Sequence, residues 1–194
     1  MTRKAGTICM VLGTALILAA LSLFLWNRWE DDRAGAAVEE ILPKVAERMD
    51  PILPDPYSTE MSVAKIDGYE YIGYLSIPSL NLELPVMSDW SYPQLRIAPC
   101  RYYGSTKTQD LVIAAHNYSR HFGNIKNLRP GTEVYFTDMD RVVTAYEVAE
   151  VDTLEPTAIE EMTDSGYALT LFTCTYGGKS RVTVRCEAAE EPET

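Results

Sequence analysis

Residues 170–185 read TLFTCTYGGKSRVTVR, and two β-rich runs in this stretch flank Gly177 and Gly178. A Gly-Gly pair between such runs predicts a hairpin with a two-residue turn, because both central residues of the favoured turn need a positive φ. With the two glycines at the turn centres, Cys174 lies directly opposite Arg181. Directly opposite residues of an antiparallel pair share one face, with Cβ atoms about 5 Å apart. The hairpin therefore predicts a thiol that faces a guanidinium.

This cysteine–arginine pair has a chemical meaning. A neighbouring cation favours the thiolate, which is the nucleophilic form of cysteine, and an arginine can stabilise the oxyanion of a tetrahedral intermediate. The same register puts a mostly apolar set on the other face, which we expect to be the core: Leu169, Leu171, Thr173, Val182, Val184 and Cys186. A shift of one residue would separate the pair and turn the core set outward. On the hairpin alone, an ordinary structural neighbour pair remains the alternative.

A histidine ends another predicted strand, Asp110–His116, where polar loop residues begin with Asn117. Histidine titrates near neutral pH, so it can accept a proton from a thiol and donate one to a leaving amine. His116 is therefore the candidate acid and base, with a surface or capping histidine as the alternative. We expect the second histidine, His121, to be exposed in the loop. The two histidines and the scattered acids form no zinc-ligand pattern.

Outward from these two segments, short β-rich runs alternate with turn signals. Eight strands are predicted: Tyr71–Ile77, Leu82–Met87, Cys100–Tyr103, Asp110–His116, Glu133–Thr137, Val142–Val151, Ala168–Cys174 and Arg181–Cys186. A short helix is predicted at Pro156–Met162, with proline at its first position. Eight short strands with little helix between them predict an all-β domain, either a barrel or a sandwich.

The composition indicates a folded domain and argues against a nucleic-acid binder. The 194 residues include 46% hydrophobic and 23% charged residues, which excludes global disorder. The formal net charge is −11 at pH 7, whereas binding to phosphates needs clustered Lys and Arg.

An uncharged segment near the N-terminus predicts a membrane-spanning helix. At about 1.5 Å rise per residue, the 19 residues Ile8–Trp26 span roughly 28 Å, about one hydrocarbon core. Trp26 and Trp29 lie where interfacial aromatic residues are expected. Arg3 and Lys4 precede the segment, so the positive-inside rule places that end in the cytoplasm and the rest of the chain outside. A cleaved signal peptide is the alternative, and it too would export the domain.

The chain therefore divides into five predicted regions. They are residues 1–7 (cytoplasmic N-terminus), 8–29 (transmembrane signal-anchor), 30–67 (stalk or linker), 68–187 (β-rich catalytic domain) and 188–194 (acidic tail). Within the stalk we expect a loosely helical part, Gly35–Met49, interrupted by Pro43 and followed by an extended proline-rich part.

The residues quoted so far carry a resemblance to a known family. Thr170-Leu171-Phe172-Thr173-Cys174 matches the T-L-x-T-C signature of sortases, the cysteine transpeptidases of bacterial cell surfaces. A histidine that ends an upstream strand, an arginine on the next strand and an N-terminal anchor complete the pattern of that family. The resemblance covers residues 69–187 and implies an eight-stranded sortase-like β-barrel. Ala115 stands where many sortases have Gly before the histidine, and the subclass stays open.

The resemblance implies roles for particular residues of this chain. The catalytic residues would be Cys174, His116 and Arg181. The residues that we assign to substrate binding are Thr173, Thr175 and Asn117.

The resemblance implies that no cofactor is required. Calcium is the alternative, because some sortases bind this ion through acids near the substrate groove, and the acids available here are Glu133, Asp138 and Asp140. Cys100 and Cys186 would both be exported, where disulfides persist. They form either a disulfide or two buried free thiols.

The resemblance also implies a membrane-anchored enzyme on the outer surface of a Gram-positive bacterium. It would cleave an LPxTG-like sorting signal of surface proteins through a thioester on Cys174. It would then transfer the protein to an amine of a cell-wall precursor or of another surface protein. One alternative is an extracytoplasmic cysteine endopeptidase that uses the same residues but releases its product to water. The other is a non-catalytic, membrane-tethered β-domain in which Cys174 need not be reactive.

Overall fold

The computed structural model of the chain describes residues 3–49 and 58–189. The first two residues, residues 50–57 of the proline-rich linker and residues 190–194 of the predicted acidic tail lie outside the described residues. The chain divides into two compact units, Met1–Arg33 and Ala34–Thr194. The predicted boundary between stalk and catalytic domain at residue 67 stays a prediction; the second compact unit begins earlier, at Ala34.

Three α-helices and nine strands make up the described part of the chain. The helices are α1 (Arg3–Arg48), α2 (Tyr92–Leu95) and α3 (Ile159–Thr163). The strands are β1 (Ala64–Ile66), β2 (Tyr69–Ile77), β3 (Leu82–Met87), β4 (Cys100–Tyr103), β5 (Leu111–Ala114), β6 (Glu133–Asp138), β7 (Val143–Leu154), β8 (Leu169–Cys174) and β9 (Arg181–Ala188).

The N-terminal part of α1 is apolar and exposed. Between Ala5 and Arg48 the most apolar window has a mean hydropathy of 2.6 and none of it is buried, so by length and composition α1 is a candidate membrane span. The predicted interruption at Pro43 is wrong, because α1 continues through this residue. Pro43 lies on the exposed side of the helix, where water can bond the carbonyl that proline leaves without a donor.

Eight strands form a closed barrel, which confirms the prediction. The hydrogen-bonded order is β2-β3-β4-β5-β8-β9-β7-β6, and the pairing of β6 with β2 closes the ring. Neighbours are antiparallel except for β3–β4 and β5–β8, which are parallel. β1, which the sequence analysis did not predict, pairs with the start of β2. An eight-stranded barrel has an interior just wide enough for side chains to fill.

Two apolar clusters lie on the two faces of the barrel sheet. The interior cluster includes Ile72, Leu75, Ile113, Phe136, Leu171 and Val184. The outer cluster combines residues of α1 with outward-facing strand residues, among them Ile41, Val45, Met49, Tyr71, Met87, Cys100 and Ala114. Successive residues of a strand point to opposite faces, so Ile113 and Ala114 enter different clusters. The second part of α1, residues 34–48, therefore covers part of the outer face of the barrel.

Element boundaries follow the predictions closely where turn signals are strong. β3 and β4 have the predicted bounds, and β7 extends beyond its predicted end to Leu154. β5 ends at Ala114 instead of His116, because the chain leaves the sheet there for the following loop. The helix predicted at Pro156–Met162 begins later, at Ile159.

Candidate active site

The β8–β9 hairpin has the register that the sequence predicted. Cys174 pairs with Arg181 across the ladder. The same outward face carries two further pairs, Phe172 with Thr183 and Thr170 with Arg185. Of the predicted core set on the inward face, Leu169, Leu171, Val184 and Cys186 belong to the barrel interior. The facing positions of Cys174 and Arg181 are therefore a property of the ladder itself.

The turn of this hairpin differs from the prediction, although its register does not. Gly177 and Gly178 both have the expected positive φ, at 80° and 70°. The turn hydrogen bond, however, runs from Gly178 N to Thr175 O at 2.8 Å, and Thr175 N bonds Ser180 O at 3.0 Å. The loop is therefore longer than two residues. The predicted two-residue loop and the observed longer loop have the same centre, between Gly177 and Gly178. Cys174 therefore still faces Arg181.

Cys174 and Arg181 are both half-buried at the end of this hairpin. The hairpin loop holds the Arg181 guanidinium, because Nη1 donates to the carbonyl oxygens of Gly178 and Ser180, both at 3.1 Å. A guanidinium has several further N–H donors in a fixed fork. The Arg181 guanidinium is therefore held by the loop, and the Cα positions of Arg181 and Cys174 lie opposite each other in the ladder.

His116 follows the end of β5, the strand next to β8. β5 runs parallel to β8, with Ala114 opposite Phe172. The ladder extends one step further, because Ala115 N donates to Phe172 O at 3.1 Å. His116 follows directly after this last ladder bond, and the same register, continued by one further residue, would bring it level with Cys174. The three predicted catalytic residues thus lie at the same end of three adjacent strands.

The three residues assigned to substrate binding have different surroundings. Thr173 is 4% exposed, and its Oγ1 donates to Ala115 O at 2.8 Å, which fixes the end of β5. Thr175 is half-buried and its Oγ1 accepts from Ser180 N at 3.1 Å. Asn117 is half-buried at the start of the loop. These three residues are absent from the lining of the groove described next, and their roles stay predictions.

A groove of about 220 Å³ lies on the outward face of the barrel and includes Cys174 and Arg181. Its walls are mostly apolar and aromatic: Trp90, Tyr92, Leu95, Tyr102, Ala114, Pro156, Ala158, Ile159, Met162 and Phe172, together with Glu155. None of these groove residues was predicted from the sequence. Phe172 had a signal, because strand alternation puts it on the same face as Cys174, whereas most of the others come from segments distant in the sequence.

Aromatic rings form one wall of the groove. Trp90 contacts Tyr92 and Tyr102, with ring centroids 5.9 and 5.5 Å apart, and Tyr102 packs edge-on against Phe172 at 5.2 Å. Trp90 is 43% and Tyr92 is 71% exposed, so both rings are available to a ligand. A second cavity of about 630 Å³ shares Trp90 and Tyr102 with the groove.

The prediction that His121 is exposed is wrong. This residue is 0% exposed, because the loop after His116 folds back and inserts Phe122 and Ile125 into the barrel core. A hydrogen bond of 3.1 Å from Phe122 N to His116 O holds the loop in this shape. Tyr118 lies between the two imidazoles, with ring centroids 4.9 Å from His116 and 5.5 Å from His121.

Asp138 and Asp140, considered above for calcium, are 5% and 7% exposed. Asp138 Oδ1 accepts hydrogen bonds from the backbone N–H groups of Asp140 and Val142, each at 2.9 Å, so it caps the β6–β7 turn. Burial raises the pKa of the Asp138 carboxyl above its ordinary value. Within residues 3–49 and 58–189, His, Cys, Asp and Glu form no group of three that could hold a metal ion. The cofactor requirement stays a prediction.

Cys100 and Cys186 are free thiols in the structure, and both are buried. They belong to different clusters, Cys100 to the outer one and Cys186 to the barrel interior. Of the two alternatives left by the sequence, the structure therefore has buried thiols and no disulfide between them.

The chain is similar to sortases in sequence and in structure. The sortase domain family matches residues 75–189. Sortase A of Bacillus anthracis is 30% identical over 128 residues, which cover 63% of this chain and 60% of that protein. Sortase C1 of Streptococcus suis superimposes with a TM-score of 0.53 at 28% identity, covering 62% of this chain and 74% of that one.

A more distant structure supports the same fold. The sortase D5 transpeptidase of Clostridium perfringens is 18% identical, with a TM-score of 0.62 over 80% of this chain and 99% of that one. The family match covers more than half of the chain and includes the T-L-F-T-C strand, His116 and Arg181. This chain belongs to the sortase family.

Proposed function

We propose that this protein is a membrane-anchored cysteine transpeptidase that acts on a peptide sorting signal. The observation that carries the proposal is the pairing of Cys174 with Arg181 in an apolar groove, with His116 following the adjacent strand. A nucleophile, a donor to an oxyanion and a proton carrier are the groups that acyl transfer from an amide needs.

In the first half-reaction, the Cys174 thiolate attacks the carbonyl carbon of the scissile amide, and negative charge develops on the carbonyl oxygen. Arg181 donates hydrogen bonds to this oxyanion. His116 gives a proton to the departing nitrogen, the C–N bond breaks, and the acyl group remains on Cys174 as a thioester.

In the second half-reaction, an acceptor amine attacks the thioester carbon. His116 takes a proton from the amine, the C–S bond breaks, and the Cys174 thiolate is released as the new C–N bond forms. The thioester conserves the acyl transfer potential of the original amide. These steps therefore need no external energy source and no cofactor.

The groove supports an extended, largely apolar peptide as the substrate. Two uncharged side chains of its walls are well exposed: Ile159 at 58% and Trp90 at 43%. Such surfaces match the leucine and proline of an LPxTG-like signal, whose threonine carbonyl would then lie at Cys174. The acceptor is an amine of a cell-wall precursor or of another surface protein.

The apolar part of α1 supports anchoring in the membrane. Its composition suits a lipid environment, and Arg3 and Lys4 before it favour a cytoplasmic N-terminus. The catalytic domain then lies outside the cell, where exported surface proteins meet it.

Peptide turnover by the full-length protein in detergent tests this function. With an LPxTG-containing peptide, we expect a thioester on Cys174, located by mass spectrometry, and transfer of the acyl group to an added amine.

Cys174→Ala should abolish turnover, and His116→Ala should nearly do so. Arg181→Lys should lower kcat about 10²-fold, because lysine lacks the planar fork of donors. Lys126→Ala, at an exposed position away from the groove, is the control.

Three outcomes would contradict the proposal in different ways. Retained turnover in His116→Ala would remove the role of that residue. Hydrolysed peptide alone, at every acceptor concentration, would indicate a cysteine endopeptidase. A Cys174 that an alkylating reagent does not label in the parent protein, together with no turnover, would indicate a non-catalytic binding domain.

A further inference from the structure

The outward face of the β8–β9 hairpin carries a second arginine, Arg185, whose environment differs from that of Arg181. Arg185 is 3% exposed and pairs directly with Thr170, the first residue of the T-L-F-T-C strand. A buried cation is costly unless it is bonded to several partners. The contacts of Arg185 therefore indicate what its burial accomplishes.

The guanidinium of Arg185 connects three parts of the chain. Nη1 donates to Thr170 Oγ1 on β8 at 3.1 Å, and Nη2 donates to the backbone oxygen of Glu161 in α3 at 2.8 Å. Nε lies 4.0 Å from Asp152 Oδ2 on β7. The Tyr167 ring, on the segment between α3 and β8, lies 5.9 Å from the guanidinium carbon. Barrel strands and the α3 segment thus meet at one side chain.

The α3 segment depends on such contacts because it is a single short helix. It has five residues, Ile159–Thr163, and no side-chain cap at its N-terminus. The bond from Arg185 satisfies a carbonyl in its last turn, where a cation is also favoured by the helix dipole. Two residues of the same turn, Ile159 and Met162, line the groove that contains Cys174.

We propose that Arg185 is a positioning residue that holds the α3 wall of the substrate groove against the barrel, and that Thr170 is its partner on the T-L-F-T-C strand. The proposal rests on the peptide-transfer function proposed above. Arg185 itself is absent from the groove lining, so its effect reaches the peptide through Ile159 and Met162. Loss of the contact should weaken peptide binding and leave the Cys174–Arg181 register intact.

Kinetics and hydrogen exchange on full-length variants test this proposal together. In Arg185→Met, we expect the KM for the LPxTG peptide to rise about tenfold, with kcat changed less than twofold. Amide exchange should become faster at Met162 and Asp164, whose N–H groups bond Ala158 O and Glu160 O at the two ends of α3. Exchange in β8 and β9 should not change.

Two further variants complete the design. Thr170→Val keeps the shape of a side chain that is 1% exposed but removes one partner of Arg185, so it should raise KM and α3 exchange to a smaller extent. It also serves if Arg185→Met does not fold. Arg129→Met, at an exposed arginine, is the matched control and should behave like the parent.

A folded Arg185→Met or Thr170→Val protein with parental KM and parental α3 exchange would overturn the proposal. A fall in kcat with unchanged KM would also overturn it, because it would place Arg185 in the chemistry. If the parent itself does not process the peptide, the function proposed above fails, whereas the exchange experiment still decides whether Arg185 holds α3.

Discussion

Cys174 differs from the other cysteines of the barrel domain in its surroundings. Burial raises the pKa of Cys100 and of Cys186 to about 12 each, and both are 0% exposed. Cys174 is only half-buried and lies opposite Arg181 in the ladder. Because the thiolate is the reactive form of cysteine, the two buried thiols should be inert at neutral pH.

The first prediction concerns selective alkylation of this thiol. Iodoacetamide at pH 7.5 should label Cys174 at least about tenfold faster than Cys100 or Cys186 in the folded protein, because the buried thiols are neither accessible nor ionised. Peptide mapping by mass spectrometry measures each site separately. Denatured protein is the control, in which the three rates should converge. Comparable labelling of all three in the folded state would contradict this reading.

The second prediction concerns pH and Asp138. Burial raises its pKa, and the neighbouring Asp140 charge adds to the increase, although two backbone N–H bonds act in the other direction. The folded state therefore holds this proton more tightly than the unfolded state. The resulting stability is present below the unfolded pKa, near 3.8, and is lost as pH rises through the folded pKa.

Asp138→Asn keeps an oxygen acceptor for the backbone and removes the buried charge. The free energy of unfolding of this variant should therefore increase relative to that of the parent as the pH rises above about 4. Urea unfolding at several pH values measures this difference. Asp164→Asn, at an exposed position, is the control and should show no such trend. A relative stability that falls with rising pH would contradict the assignment.

At the scale of elements, the pairing of β2 with β6 closes the barrel, and Gly73 lies at that seam. Its φ is +144°, and it pairs with Asp138 at a register shift between β2 and β3. A Cβ at this position would overlap the backbone oxygen of Thr137. Only glycine permits both the backbone angle and the close approach of the two strands.

The third prediction is that Gly73→Ala lowers the free energy of unfolding by about 2–4 kcal/mol, because strain and overpacking add at one site. Thermal or urea unfolding measures it. Gly178→Ala is the matched control, since that glycine also has a positive φ of 70° but open space around it. It should cost only about 1 kcal/mol. Equal effects in the two variants would show that the close approach is unimportant.

At the scale of the whole molecule, the second part of α1 contributes to the outer apolar cluster. Val45 is 0% and Ile41 is 8% exposed, and both belong to the cluster that contains Tyr71 and Met87. Residues that the sequence assigned to a stalk therefore bury surface against the barrel. The physical reason is that strand alternation leaves an apolar set on the outside, which some element must cover.

The fourth prediction follows from this packing. Val45→Ala should lower the free energy of unfolding of the barrel domain by about 2 kcal/mol, because it removes buried methyl groups and leaves a cavity. Glu47→Ala, at an exposed position of the same helix, is the control. Both variants are compared by urea unfolding. An unchanged midpoint for Val45→Ala would mean that this part of α1 is not part of the folded domain.

The sequence alone determined the contacts whose partners are close along the chain. Alternation and the Gly-Gly pair were enough to place Cys174 opposite Arg181, even though the loop is longer than predicted, because a hairpin is defined by its own few residues. Charge and hydropathy likewise identified the candidate membrane span. The number of strands and the family signature were sufficient for the barrel.

Only the tertiary structure decided which distant segments meet at the site. The position of His116 just beyond the end of β5, beside β8, depends on the parallel pairing of these two strands. The groove depends on α2, α3 and Trp90. The burial of His121 depends on a loop that folds back into the barrel. Local patterns do not encode these contacts, because each partner satisfies its own strand, helix or turn preferences equally well without the other, and only closure of the barrel brings them together.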